Sequence, residues 1–321
     1  MEPVRLAIIG CGAITRLHVE RILKDGRASI VALCDRDVAA AERLREAQLL
    51  PAQMFDDLPR LLNDCPIDAA VICTPTLFHF NQVQECRRRG VHVLCEKPLA
   101  DTRERIVAII DECRSGGPKL SVAYQRRYDP LFRTLRREVR SGRWGPVQSI
   151  TTHSAERWQQ TIAGTWRDEP AINPGGFLGD AGSHKIDMVF FVTGLAAAEV
   201  FAHSDRCGSR VEIVTTINGR MAGGAHLSMN FIGNAQHWRE DLHIHCADAD
   251  WMIRDGAVWF ARNNRVEKID QLEPPGNPIA ALLDMVLEGR PNDAPPDCAL
   301  PVFDFTQAVL QSARTGRPVV L

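Results

Sequence analysis

The first third of the chain alternates short apolar runs with longer segments whose apolar residues recur at helical spacing. The run at 4–10, VRLAIIG, is followed by a helix-period segment at 14–25 that Gly26 ends. A second run at 29–35 precedes a segment at 37–47 that begins with an aspartate suited to capping a helix. The alternation continues through 56–64, 69–75, 79–90, 92–96 and 103–117. Repeated strand–helix units of this kind predict a parallel sheet with helices on both faces.

The pattern changes beyond residue 120. A helix is predicted at 130–142, a long alternating strand at 146–157 and a helical segment near 180–193. Further strands follow in close succession, at 198–204, 211–218, 223–231, 241–247, 250–254 and 257–262. The dipeptides Asn218-Gly219 and Asp255-Gly256 are typical of tight hairpins, so this sheet is predicted to be mostly antiparallel. Segments at 277–289 and 303–315 predict closing helices.

Composition narrows the class of protein. The 321 residues are enough for about two domains, and 45% hydrophobic with 24% charged residues is ordinary for a globular protein. A net charge of −2 argues against a nucleic-acid-binding surface built on bulk charge. No apolar stretch approaches the roughly 18 residues of a membrane-spanning helix. The first residues run directly into a strand without a signal-peptide pattern, so we expect a cytoplasmic protein with no membrane partner.

The cysteines point to free thiols rather than to a metal centre. Ten cysteines are scattered along the chain, often inside apolar runs, and no C-x-x-C pair occurs. The HIHC sequence at 243–246 could suggest a metal site, but strand alternation puts its two histidines on one face and Cys246 on the other. We therefore expect no metal.

A glycine-rich turn joins the first strand to the first helix. Gly10 and Gly12 stand where a tight turn would bring the backbone close to a pyrophosphate at the helix N-terminus, with Ala13 and Ile14 leading into the helix. Thr15 replaces the third glycine of the usual fingerprint, and weakens it.

The second strand ends with an acidic residue. Asp35 is placed to accept hydrogen bonds from the adenosine ribose hydroxyls and to repel a 2′-phosphate, which favours NAD over NADP. The alternative is that Asp35 is an ordinary turn residue. Arg36, next to it, could lie against adenine or pair with that phosphate, so NADP stays open.

Polar residues also end the later strands of this predicted sheet. Because ligands bind at the carboxyl ends of parallel strands, we expect Thr74, Pro75, Glu96 and Lys97 to line the nicotinamide half of a cofactor site. His79 stands close behind Pro75; it is a cofactor-site candidate, although a structural role is favoured.

With these residues the chain resembles the glucose–fructose oxidoreductase / inositol dehydrogenase family (Gfo/Idh/MocA). The resemblance rests on an ordered set: GCGAI (10–14), CTPTLFH (73–79), CEKPLA (95–100), YQRRYDP (124–130), GTWR (164–167) and GGFLGDAGSHKID (175–187). The chain departs from it at Thr15 and at NPGGF, where three glycines are common. The resemblance implies an α/β protein: an N-terminal Rossmann NAD-binding domain at 1–122, and a C-terminal α+β domain at 123–321 with a large, mostly antiparallel open sheet. It also implies that Lys97 is the catalytic lysine, with Asp180 and His184 as the second-domain acid and histidine.

Elementary chemistry gives these three residues consistent roles. Oxidising an alcohol requires a proton acceptor as hydride leaves for NAD, and histidine titrates near neutrality, so His184 is the candidate base. Lys97 can stabilise alkoxide-like charge, and Asp180 can bind substrate hydroxyls. Asp180, His184 and Asp187 would share one face of a single helix, with Asp187 structural, and the glycines before them would let backbone approach a ligand. The alternative is a set of solvated polar residues, since the spacing is common.

Four further residues are substrate-pocket candidates of second rank. They are Tyr124, Arg127, Trp166 and Arg167. For the two arginines, salt bridges at the domain boundary are almost as good an interpretation. The role of His153 cannot be decided from the sequence.

Three functions from different classes remain open. The leading one is an NAD-dependent dehydrogenase of a sugar, inositol or related polyhydroxylated compound. The second is a glycosidase that retains NAD and oxidises, then re-reduces, its sugar. The third is a non-catalytic nucleotide-sensing protein, against which Lys97, Asp180 and His184 weigh. We also expect a homodimer or homotetramer, because the strands from 198 to 262 have few helices left to cover them and an open apolar face usually finds a partner.

Overall fold

The structure, a computed structural model, describes residues 2–321 and divides into two units. The first comprises the chain as far as Gln125 together with Gly276–Leu300, and the second comprises Arg126–Pro275 and Pro301–Leu321. No helix among residues 2–321 is both long and apolar enough to cross a membrane.

The first unit contains a six-stranded sheet in the order β3-β2-β1-β4-β5-β6, with every pair parallel. Its strands are β1 (Val4–Ile9), β2 (Ala28–Cys34), β3 (Gln53–Phe55), β4 (Ala69–Ile72), β5 (His92–Cys95) and β6 (Leu120–Val122). Its helices are α1 (Thr15–Asp25), α2 (Val38–Ala47), α3 (Leu58–Asp64), α4 (Thr76–Arg88), α5 (Arg103–Arg114) and α10 (Pro278–Leu287). This is the strand order of a dinucleotide-binding domain, as predicted.

Local signals in the sequence explain where these helices begin and end. The Asp37 carboxylate accepts a hydrogen bond from the N–H of Ala39 at the start of α2. Gly26 ends α1 in the left-handed conformation, with φ of 77°, which a residue without a side chain adopts at no steric cost.

The segment 276–300 belongs to the first unit. The sequence analysis places this segment in a second domain running from 123 to 321. Arg27 reaches Asp284 of α10 at 2.6 Å, and the Val122 N–H donates to the Ala294 carbonyl at 2.9 Å. Ile279, Leu282 and other apolar residues of α10 lie in the core of this unit. The polarity pattern of α10 says only that it is buried, and gives no indication of which core it enters.

The second unit contains a nine-stranded sheet in the order β14-β13-β12-β11-β7-β10-β9-β8-β15. Its strands are β7 (Val147–Ala155), β8 (Ala197–Asp205), β9 (Val214–Met221), β10 (His226–Ile232), β11 (Arg239–Cys246), β12 (Asp250–Arg254), β13 (Ala257–Arg262), β14 (Arg265–Ile269) and β15 (Val319–Val320). Its helices are α6 (Pro130–Arg140), α7 (Trp158–Ile162), α8 (Gly176–Gly179), α9 (Gly182–Thr193) and α11 (Ala299–Thr315). Only β7 and β10 pair in parallel; the other pairs are antiparallel, which confirms the predicted sheet type.

The two predicted hairpin dipeptides have different outcomes. Asp255-Gly256 joins β12 to β13 with both residues at positive φ, as expected. Asn218-Gly219 lies inside β9 instead, and the chain turns at 222–225. At Gly219 an added Cβ would stand 2.5 Å from the Glu199 carbonyl oxygen, so this glycine serves close strand packing rather than a turn.

Strand alternation gives this sheet two different faces. One row of paired residues is mainly apolar and buried: Val200, Gly219, Leu227, Ile150, Ile244, Trp251 and Phe260. The neighbouring row points the other way and is mainly polar: Phe201, Asn218, Ser228, Thr151, His243, Met252 and Trp259. The expectation of an open apolar face is therefore wrong in its premise, since the exposed face is mostly polar.

Histidines and cysteines follow the same alternation. His153 lies on the polar face opposite Asp241, and His243 and His245 lie there as well, while Cys246 is buried. All ten cysteines are free, and residues 2–321 contain no group of three or more ligand-type side chains that could hold a metal.

Candidate active site

The turn after β1 is shaped by a glycine that no other residue could replace. Gly10 has φ of 92°, and its N–H donates to the Cys34 carbonyl at 2.8 Å. A Cβ at this position would stand 2.8 Å from the carbonyl carbon of Cys73 and from the backbone nitrogen of Thr74. At Gly12, by contrast, an added Cβ would meet no atom within 4 Å. The turn therefore packs closely against the backbone of Cys73 and Thr74 at Gly10, whereas Gly12 borders open space.

Thr15 fits this turn, although it replaces the third glycine of the fingerprint. Its side chain is fully buried, and its hydroxyl donates to the Gly10 carbonyl at 2.7 Å. The hydroxyl holds the glycine turn against the first residue of α1, so the departure from the motif adds a hydrogen bond.

The N-terminus of α1 is available to an anion. The helix begins after Ala13 and Ile14, no side chain caps its first N–H groups, and its first turn contains no acidic residue. The N–H groups of Thr15 and Leu17 donate to the carbonyls of Gly12 and Ile14, and the helix dipole favours a negatively charged ligand such as a pyrophosphate at this end.

Asp35 supports the same turn from the end of β2. Its carboxylate accepts hydrogen bonds from the N–H groups of Cys11 at 2.7 Å and Asp37 at 2.9 Å. Asp35 is half-buried, and the Arg36 guanidinium lies over the Phe78 ring, 5.5 Å from its centroid. A carboxylate fixed beside the glycine turn is suited to accept hydrogen bonds from ribose hydroxyls. The residues of this turn therefore fit a dinucleotide.

The ends of β4 and β5 are joined by a buried histidine. One ring nitrogen of His79 lies 2.7 Å from the Thr74 carbonyl oxygen, and the other lies 2.8 Å from that of Pro98. His79 is 1% exposed and holds two loops together, which favours the structural role predicted for it over a direct contact with a cofactor. Pro75 precedes α4, and the Thr74 hydroxyl donates to Gln82 at 2.5 Å.

The Glu-Lys-Pro turn follows β5. Glu96 extends the pairing of the sheet by one residue, since its N–H donates to the Ile72 carbonyl. The Lys97–Pro98 peptide bond is cis. Lys97 is half-buried. The Glu96 carboxylate lies 2.8 Å from Nε2 of His18 and accepts the Lys97 N–H at 3.2 Å.

His18 is the residue of this region that sequence reasoning missed. It lies on α1 and is 1% exposed. The signal was present, because His18 belongs to the buried stripe Thr15, His18, Val19 and Ile22 of that helix. An ionisable side chain within an apolar stripe needs a partner, and here the partner is Glu96.

In the second unit, α9 buries nearly all of its surface. From Gly182 to Val189 every residue is buried except His184, which is half-buried. Asp180 precedes α9, in the turn that follows α8, so the predicted single helix carrying both residues is wrong. Ser183 connects the two elements through its hydroxyl, which donates to the Asp180 carbonyl at 2.7 Å.

Asp180 is held by one of the predicted pocket arginines. Nε of Arg167 donates to its carboxylate at 2.8 Å, and the same guanidinium lies 4.4 Å from the ring centroid of the exposed Trp166. These three candidates are therefore brought together in the second unit.

The other arginine candidate has a structural partner. Arg127 binds Asp187 of α9 through two hydrogen bonds, at 2.6 and 2.8 Å, and both side chains are buried. This pair anchors α9 and accounts for the burial of Arg127 without a ligand. Lys185, next to His184, is also buried and reaches Glu240 of β11 at 2.5 Å. Tyr124 lies in the first unit and is 1% exposed.

The glycines before α9 serve packing rather than ligand approach. Gly176 has φ of 51°, and a Cβ there would stand 2.1 Å from the Glu212 carbonyl oxygen. The neighbouring Phe177 N–H donates to that same carbonyl at 2.8 Å. The sequence analysis predicts that these glycines let the backbone approach a ligand. At Gly176 the backbone instead packs closely against Glu212 of the same unit.

A Rossmann unit with a glycine turn and a lysine at a strand end defines a nucleotide-dependent class of protein, and comparison with known families identifies it. Residues 4–124 match the profile of the GFO/IDH/MocA oxidoreductase family with its NAD-binding Rossmann fold, and residues 132–251 match the C-terminal domain of that family. The chain belongs to the GFO/IDH/MocA family of NAD-binding oxidoreductases.

Named relatives agree with this assignment. The chain is 31% identical over 199 residues to an inositol 2-dehydrogenase of Rhizobium meliloti, which covers 62% of this chain and 58% of that protein. It is 30% identical over 205 residues to a D-glucoside 3-dehydrogenase of Escherichia coli, covering 63% and 58%. These alignments thus span little more than half of the curated relatives' length.

Among solved structures, the WlbA dehydrogenase of Bordetella pertussis, in complex with NADH and UDP-GlcNAcA, has the same fold. The TM-score is 0.84 at 23% identity, covering all of this chain and 99% of that one.

Proposed function

We propose that this chain is an NAD-dependent dehydrogenase that oxidises a hydroxyl group of a sugar, inositol or related polyhydroxylated compound. The observation that carries the proposal is Lys97, two residues beyond strand β5, in a Rossmann unit that matches a family of NAD-binding oxidoreductases. The names of two relatives, an inositol dehydrogenase and a glucoside dehydrogenase, support the substrate class.

NAD is the proposed cofactor. Gly10 and Gly12, the uncapped start of α1 and the Asp35 carboxylate would hold its pyrophosphate and adenosine ribose. Thr74, Pro75 and Lys97 end the strands toward which its nicotinamide would extend. When bound, NAD supplies the hydride acceptor.

Three side chains have proposed roles in the reaction. A ring nitrogen of His184 accepts the proton of the substrate hydroxyl, which requires a neutral imidazole. The Lys97 ammonium stabilises negative charge that grows on the substrate oxygen. Asp180, oriented by Arg167, accepts hydrogen bonds from substrate hydroxyls, and Trp166 offers an exposed ring to the apolar face of a sugar.

A substrate panel tests the proposal and separates it from a glycosidase that retains NAD. Sugars, polyols and aryl glycosides are supplied with NAD, and both NADH and free aglycone are measured. Steady NADH formation with a polyol or free sugar is the expected result. Aglycone release without net NADH would identify the glycosidase, and neither product from any compound would overturn both.

The cofactor preference is tested by binding. Dissociation constants of NAD and NADP are compared for the parent and for Asp35→Ser, which removes the carboxylate. We expect tighter NAD binding by the parent and a smaller difference in the variant, because the carboxylate repels a 2′-phosphate. Tighter NADP binding by the parent would show that Arg36 dominates this position.

A further inference from the structure

A hydrogen bond between His18 of α1 and Glu96 anchors the Glu-Lys-Pro turn, and neither residue has a role in the proposed reaction. Nε2 of His18, on α1, lies 2.8 Å from Oε1 of Glu96, and the other carboxylate oxygen accepts the Lys97 N–H at 3.2 Å. The His18 side chain is 1% exposed and that of Glu96 is 12% exposed. A continuous path of hydrogen bonds therefore runs from α1 to the backbone of Lys97.

The state of the carboxylate fixes the direction of this hydrogen bond. Burial acts to raise the pKa of Glu96, but the hydrogen bond and charge of His18, together with Lys97, hold it below its ordinary value. An ionised carboxylate can only accept, so Nε2 of His18 carries the proton and donates it. Other titratable groups close enough to couple electrostatically with Glu96 are Arg21 of α1, Cys73 after β4, His79 of α4 and Cys95 of β5.

Packing alone does not account for a histidine at this position. Nδ1 of His18 is buried and, among the described residues, has no hydrogen-bond partner. An apolar side chain on the same stripe of α1 would avoid the cost of burying a polar atom without a partner. The one contact that a leucine could not make is the hydrogen bond to Glu96.

We propose that His18 and Glu96 are positioning residues that hold Lys97 in its reactive orientation. This inference rests on the proposed function, in which Lys97 stabilises charge on the substrate oxygen. The glycine turn and His18 both belong to the β1–α1 region, so the helix that would receive the pyrophosphate also sets the position of the lysine. Such coupling matters because a misplacement of about 1 Å can cost roughly 100-fold in rate.

The decisive variants separate the hydrogen bond from the packing. His18→Leu fills the space and removes the donor, and Glu96→Leu removes the acceptor. The double variant His18→Leu/Glu96→Leu leaves an apolar pair with no buried charge. Glu96→Gln keeps one acceptor oxygen and replaces the other with an amide donor, so it can accept from His18 or from the Lys97 N–H but not from both. His92→Leu is the matched control, since His92 lies on the same strand β5 at its opposite end.

We expect kcat to fall by about 10–100-fold in both single leucine variants and in the double variant. The NAD dissociation constant should change little, and the melting temperature of the double variant should be close to that of the parent. Glu96→Gln should also lower kcat, though less than Glu96→Leu, because it can keep only one of the two hydrogen bonds, and His92→Leu should retain the parental kcat. Parental kcat in folded His18→Leu or Glu96→Gln, or recovery of kcat in the double variant, would each overturn the inference.

A measurement without turnover keeps this inference separate from the proposed function. Reductive methylation of Lys97, followed by mass spectrometry, reports the environment of its amine in the absence of substrate and NAD. We expect the rate at Lys97 to change by more than about threefold in His18→Leu, because its surroundings shift, while the rate at Lys119 stays constant. If the parent oxidises no polyol or sugar, the proposed function fails. An unchanged Lys97 rate in His18→Leu would instead overturn the positioning role.

Discussion

The two sheets of this protein differ in how many faces of their strands are buried. In the first unit, parallel strands such as β4 are buried on both faces, and all four residues of β4 are 0% exposed. In the second unit, strands such as β11 alternate, with Ile244 buried and its neighbours His243 and His245 half-buried on the polar face. A strand with two buried faces can present chemistry only beyond its end, whereas a strand with one open face can present it along its length.

The candidate catalytic groups follow this difference. Lys97 comes two residues after the end of β5, whereas His184 is on a helix of the second unit and not on its sheet. The polar face of the second sheet contains several histidines, none of which is a candidate base. In the proposed site, the lysine is placed by a strand end and the histidine by a helix, and neither is placed by the open face of the second sheet.

Loss of His184 should give the largest effect. His184→Asn removes the proposed base, so kcat for oxidation should fall by about 10²–10⁴-fold, the usual contribution of general base catalysis. In the parent, activity should rise with pH as the imidazole becomes neutral, and this acid limb should disappear in the variant. The pH dependence of kcat is the measurement, with His245→Asn on the sheet face as the control. An unchanged acid limb in His184→Asn would assign the base to another group.

Loss of Lys97 should be nearly as large but of a different kind. Lys97→Met keeps the length of the side chain and deletes its charge, so kcat should fall by about 10²–10³-fold, equivalent to roughly 3–4 kcal/mol. NAD affinity should stay within a few-fold of the parent. Lys268→Met, on the exposed strand β14, should change neither quantity. A folded Lys97→Met protein with most of its turnover would show that the lysine only caps its strand.

Neighbouring serine substitutions test the difference between the sheets directly. In β4, Val71→Ser and Ile72→Ser should each lower the free energy of unfolding by about 2–4 kcal/mol, since both side chains are buried and serine adds a hydroxyl. In β11, Ile244→Ser should cost as much, but His245→Ser only about 1 kcal/mol or less, because its ion pair with Asp250 is exposed. Urea unfolding measures all four. Equal losses at Ile244 and His245 would contradict the one-sided burial of the second sheet.

Self-association would sharpen the comparison further. The exposed face of the second sheet is mostly polar, but a subunit interface need not be more apolar than the rest of the surface, so we still expect a dimer or tetramer through this face and a multiple of the 35.7 kDa chain mass in light scattering. Thr151→Arg, in the exposed middle of that face, should shift the mass toward the single chain, whereas Glu104→Arg on α5 should not. A single-chain mass for the parent at working concentration would rule out the oligomer.

The smallest expected effect is the pH dependence of stability due to His79. Burial lowers the pKa of His79 below its ordinary value, although both carbonyls favour the protonated ring. As pH falls below about 6.5 the unfolded chain takes up a proton that the folded chain resists, so stability should decrease, by at most about 1.4 kcal/mol per pH unit for one group. Urea unfolding from pH 8 to pH 5.5 should show a smaller slope in His79→Gln than in the parent. The same slope in both proteins would mean that His79 does not contribute.

The sequence by itself determined the type of each sheet and the location of the glycine turn. Continuous apolar runs separated by helical segments favour a parallel, doubly covered sheet, and alternating runs in close succession favour a mostly antiparallel one. Gly10, Gly12 and Lys97 could be placed because their positions follow from the ends of those strands. Asp255-Gly256 was predictable for a similar reason, since a two-residue hairpin demands positive φ.

Only the tertiary structure decided which residues meet across long separations in the chain. The contacts between Glu96 and His18, Arg127 and Asp187, and α10 with the first core join residues 78, 60 and more than 200 positions apart. Periodicity records that a side chain is buried but not what it is buried against, because the same apolar stripe would serve any core. The same limit explains Gly176 and Gly219, whose missing side chains make room for backbone of the same unit rather than for a ligand or a turn.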